Sequence, residues 1–74
     1  MPVNNNAALQ LSIMLKELRY ASDLEAEYGN ILRLMFELYD KDDISYEYLV
    51  FCYEVAYEEY FIAKLFKVRE KYRK

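Results

Sequence analysis

Histidine and tryptophan are missing from these 74 residues, and glycine, proline and cysteine occur once each. Each shortage closes off a class of protein. With no histidine and a single cysteine, the usual zinc sites lack their ligands and Cys52 has no partner for an intramolecular disulfide. The thiol also lacks the imidazole that commonly activates a cysteine nucleophile, so an inert small hydrophobe is the expected role of Cys52. One glycine and one proline are too few for an all-β chain, which needs turn residues about every 8–12 positions. No P-loop, glycine-rich phosphate cradle or nucleophile elbow can be traced. After the N-terminal segment the longest uncharged stretch is Tyr48 to Tyr53, far short of the roughly 20 residues that a membrane span needs. Residues 1–15 carry no charged side chain, but Asn4, Asn5, Asn6, Gln10 and Ser12 interrupt them and no basic segment precedes them. No signal peptide is read there, and a cytoplasmic location is expected.

What is present is apolar surface. Hydrophobic residues make up 55% of the chain, and nine residues are tyrosine. A chain of this length forms one domain and sits near the limit at which a single core offsets the entropy of ordering. With disulfides and zinc excluded, helix packing and association are the remaining sources of stability.

The apolar spacing predicts an all-α protein, an antiparallel bundle of two long or three shorter helices, completed by homodimerisation. Residues 1–6 are expected to be a flexible lead-in, with Asn5 or Asn6 capping the helix that follows. Residues 7–74 then form one helical domain with segments over about 7–22, 24–39 and 45–72. Leu11, Met14, Leu15, Leu18 and Ala21 share one face of the first segment, and Leu9, Ile13, Tyr20 and Leu24 share the opposite one. In the second, Leu24, Tyr28, Ile31, Leu32, Met35, Leu38 and Tyr39 lie together, with Gly29 towards the polar side. Two readings of residues 7–39 stay open. Ser22 and Glu25 have the form of a capping box, which breaks the chain at Ser22–Asp23, whereas a seam of three- and four-residue steps runs through as one helix. Asp40 to Asp43 form a loop, after which Asp43 or Ser45 can cap the last helix, with Glu47 in its first turn.

The last segment carries the most informative pattern. In its first half Glu47, Glu54 and Glu58 align, with Leu49, Cys52, Ala56 and Tyr60 opposite. In its second half Phe61, Leu65, Val68 and Tyr72 occupy the side where the glutamates had been, and Lys64, Lys67, Lys71 and Lys74 form a stripe of their own. One straight neighbouring helix cannot cover both apolar faces. Three solutions follow: the helix breaks near Glu58–Glu59, its halves bury against different chains, or helices of the same chain wrap both sides. The candidate dimer or partner contacts are Cys52, Ala56, Tyr60, Phe61, Leu65, Val68 and Tyr72. Cys52, Ala56 and Ala63 are small enough for close helix approach, between chains or within one.

Tyr46, Tyr53, Tyr57 and Tyr60 precede the lysines on the same line. Tyrosine buries a ring while keeping a hydroxyl to bond at a wet boundary, which suits an interface; stacked rings beside a basic track also suit single-stranded nucleic acid. Residues 64–74 hold six basic side chains and one acidic, against four basic and twelve acidic in residues 1–63. Basic residues at a helix C-terminus also complement its dipole without binding anything. Glu54, Glu58 and Glu59 do not make a helix-bundle metal site, because such sites draw on Glu-x-x-His pairs. The expectation is therefore a small interaction or adaptor protein acting as a homodimer. A heterologous protein partner is compatible with it, and the alternative is a nucleic-acid-binding regulator using the basic C-terminal helix end, Lys64, Lys67, Arg69, Lys71, Arg73 and Lys74. No catalytic residue, cofactor, metal, small-molecule substrate or membrane association is expected.

Overall fold

The computed structural model describes residues 5–73, so residues 1–4 of the expected lead-in and Lys74 of the basic stripe lie outside the described residues. The chain is all-helical over that span. Helix α1 runs Asn5–Glu17 and tightens into a 3-10 turn at Leu18–Tyr20; α2 runs Leu24–Asp40 and α3 runs Tyr46–Tyr72. Helix α1 starts two residues earlier than the spacing predicts. Asn5 and Asn6 are inside it rather than at its cap.

Residues 5–40 therefore form two helices and not one. After Leu18 turns into the core, Ala21 adopts an extended backbone and Asp23 opens the next helix, its Oδ1 accepting a hydrogen bond from the Ala26 amide at 3.2 Å. The cap is thus Asp23, one residue beyond the capping-box Ser22. That placement starts the helix at Leu24, which is buried. At the other end of α2, Asp42 has φ of 61°, a left-handed conformation that costs an ordinary L residue energy. The amide of Asp42 donates to the Tyr39 carbonyl and that of Asp43 to Leu38, the two bonds of a Schellman ending. Ile44 then enters the core, and Ser45, not Asp43, caps α3 by accepting from the Tyr48 amide at 3.1 Å.

Side-chain contacts fix the directions. Tyr28 stacks on Tyr60 with centroids 4.4 Å apart, and Glu25 meets Lys64, so α2 and α3 are antiparallel. Arg19 meets Glu59 while the Tyr48 hydroxyl approaches the Ala8 carbonyl, so α1 and α3 run the same way. The result is an up-down-up bundle around Leu11, Leu15, Leu18, Leu24, Ile31, Met35, Ile44, Leu49, Cys52, Ala56 and Ala63. Ala56 and Ala63 carry the smallest side chains of this core, so α3 can lie close to its neighbours without Leu-sized spacers.

Helix α3 is longer than what it packs on. Its 27 residues extend about 40 Å, against about 25 Å for the 17 of α2. Ala63 is the last buried residue, and positions 64–73 are all exposed. The molecule measures 52 × 18 × 16 Å, a rod with one helix end projecting.

Candidate interaction surface

Helix α3 passes through Glu58 and Glu59 without a break. Its buried side, Cys52, Ala56 and Ala63, faces α1 and α2, and the opposite side faces outward. Phe61 retains 60% of its accessible surface, Leu65 58%, Val68 45% and Tyr72 78%. Of the three solutions to the two-sided pattern, a break is excluded and wrapping by this chain's own described helices does not occur. The steps 61, 65, 68 and 72 place the four side chains within about 60° of one another at 100° per residue, so they form one continuous stripe. Phe61, Leu65 and Val68, with Lys64, line a shallow, almost wholly apolar depression on this face.

The seven candidate contact residues separate into three groups. Cys52 and Ala56 are fully buried in the chain's own core and are not surface contacts; their small size serves packing within one chain. Tyr60 is half-buried and occupied by its stack on Tyr28. Phe61, Leu65, Val68 and Tyr72 remain available. Burial pushes the Cys52 thiol above its ordinary pKa, an effect partly offset by a hydrogen bond with Tyr48, so the thiol is held in its unreactive form.

The basic stripe is less uniform than its spacing suggests. The Lys64 ammonium donates to the Tyr60 hydroxyl at 3.1 Å and to Glu25 at 3.4 Å, and these partners raise its pKa. Its nitrogen lies 5.4 Å from the Tyr60 ring centre, beyond the hydroxyl end of the ring, so the contact is a hydrogen bond rather than a cation held over the π face. Lys67 and Lys71 are exposed without an ion pair among the described residues. Arg73 pairs with Glu70.

Three features escape the sequence pattern. Phe36 of α2 is exposed and lines an apolar cleft with Leu49, Val50 and Tyr53, extending the outer face of α3 onto its neighbour. Val50 stands eleven residues before Phe61, three helical turns, which is the signal that could have joined it to the stripe. Arg19 donates to both carboxylate oxygens of Glu59, at 2.8 and 3.2 Å, and ties the 3-10 turn to α3; the hydrogen bond and charge of Glu59 raise the Arg19 pKa. Nothing in the local sequence of either residue announces a contact across 40 positions.

Among the described residues no group of three histidine, cysteine or acidic side chains is placed to hold a metal ion, and no helix is long and apolar enough to cross a membrane. Comparison with protein-family models, with curated proteins and with solved structures finds no match for this chain.

Proposed function

We propose that this chain is a small interaction or adaptor protein that acts by surface contact as a homodimer, with the outer face of α3 as its contact surface. One observation carries the reading: Phe61, Leu65, Val68 and Tyr72 lie uncovered along one side of an unbroken helix whose other side is already used by the core. Contiguous exposed apolar surface of this kind marks interaction sites in soluble proteins. The small core supports it as well, since association adds stability that a 74-residue chain can use. The proposed role is contact rather than catalysis, and a heterologous protein can engage the same face.

Sedimentation equilibrium at micromolar concentration tests the reading. The expected mass is twice the 9.0 kDa of one chain. Replacing Leu65 and Val68 together by Glu should return a monomer whose far-ultraviolet circular dichroism loses at most the contribution of the helix end beyond Ala63, because both side chains are exposed and lie outside the core. A wild-type monomer contradicts the homodimer.

The alternative, a nucleic-acid-binding regulator, is supported by the exposure of Lys67 and Lys71 further along the helix from the exposed Tyr53 and Tyr57. Two observations weigh against it: Lys64 is already engaged, and the acidic body repels phosphate. A low-salt gel shift with mixed DNA and RNA is expected to show no complex. A complex abolished by replacing Lys64, Lys67, Lys71 and Lys74 with Ala would establish the alternative.

A further inference from the structure

The outer face of α3 has an internal symmetry. Val50, Tyr57, Leu65, Val68 and Tyr72 all fall within about 40° of Phe61 on either side, an arc of about 80°, and Phe61 stands eleven residues from each end. Eleven residues close three turns at 3.67 residues per turn, so the stripe runs almost straight along the helix for about 33 Å. A second copy meeting this stripe through a two-fold axis presents the same residues back to it.

Orientation is decided by charge. The N-terminal half of the face carries Glu47, Glu54 and Glu58, whereas the C-terminal half is flanked by Lys64, Arg69 and Lys71. Parallel pairing sets acid against acid and base against base. Antiparallel pairing sets each half against its opposite.

Resting on the homodimer reading above, we infer that two copies pair their α3 helices antiparallel about a two-fold axis at Phe61, each projecting helix end lying on the bundle of the other copy. In this register Phe61 meets Phe61, Tyr57 meets Leu65, and Val50 meets Tyr72. An antiparallel two-fold keeps each flank against the same flank of the other copy. Glu54 therefore faces Arg69 on one side, while on the other Tyr53 and Tyr57 face Lys71 and Lys64. The Tyr72 ring arrives at Val50, on the rim of the apolar cleft that Val50 forms with Phe36, Leu49 and Tyr53. The length of α3 beyond Ala63 then has a use, covering the exposed half of its counterpart.

Single-cysteine cross-linking under mild oxidation, run beside sedimentation equilibrium, tests the register. The native Cys52 can stay, because its thiol is fully buried. Phe61→Cys is expected to form a disulfide dimer with itself. Val50→Cys and Tyr72→Cys, which keep Phe61, are each expected to stay uncross-linked alone, their like positions lying about 33 Å apart, and to cross-link when mixed. A sedimentation dimer in which Val50→Cys cross-links with itself, or in which the mixture does not cross-link, overturns the register and leaves the homodimer standing. A sedimentation monomer overturns both.

Discussion

Gly29 lies in the middle of α2, and a Cβ built there meets nothing within 4 Å. Its backbone is helical with no positive φ, so glycine has no conformational task at this position. Gly29→Ala should stabilise the fold by about 1 kcal/mol, read as a higher urea midpoint at unchanged slope. A second residue-scale consequence concerns pH. Burial pushes the Tyr28 and Tyr48 phenols upward, aided at Tyr28 by Tyr53, Tyr57 and Tyr60 and at Tyr48 by Cys52, and burial also raises the Cys52 thiol. The folded chain holds these protons more tightly than the unfolded chain does. Their contribution to stability is complete below the ordinary values and is lost as pH rises through the folded ones. The urea midpoint should therefore begin to fall as pH passes about 9, the ordinary range of the thiol, and fall further above about 10, where tyrosinate absorbance at 295 nm rises. A midpoint that is constant or rises there contradicts the burial of these groups.

At the scale of the element, the ending of α2 shows how a turn can hide. Glycine usually occupies the left-handed position of a Schellman ending, and here Asp42 does. Asp42→Gly should raise stability by about 0.5 kcal/mol in the same urea assay, because relief of the left-handed strain exceeds the added freedom of the unfolded chain. A loss of stability would show that the carboxylate contributes more than its strain costs. The loop itself was legible because four polar residues interrupt the apolar spacing, but its bonds were not, since no glycine announced them. The three helices were legible for the same reason: spacing at 3.6 residues reports which faces want burial. The break between α1 and α2 stayed open in sequence because the seam of three- and four-residue steps continues through it. It is settled by Leu18 and Leu24 both entering the core from either side of an extended Ala21. The two-sided character of α3 was visible at Phe61, Leu65, Val68 and Tyr72. That Cys52 and Ala56 belong to the core was not, because periodicity identifies an apolar face without saying which chain covers it.

For the whole molecule, the mismatch of helix lengths is the governing fact. Helices α1 and α2 cover one side of α3 as far as Ala63; Lys64 still reaches Glu25 of α2, and every described residue from there on is exposed. A helical end of this length is marginal by itself and opens readily when nothing packs on it. Amide hydrogen exchange across residues 64–72 at micromolar concentration reports directly whether something does. The dimer predicts protection there approaching that of residues 49–63, lost on dilution or in the Leu65→Glu, Val68→Glu double variant. Exchange at the rate of an unstructured peptide, independent of concentration, would contradict the claim that the outer face of α3 is an interface between copies.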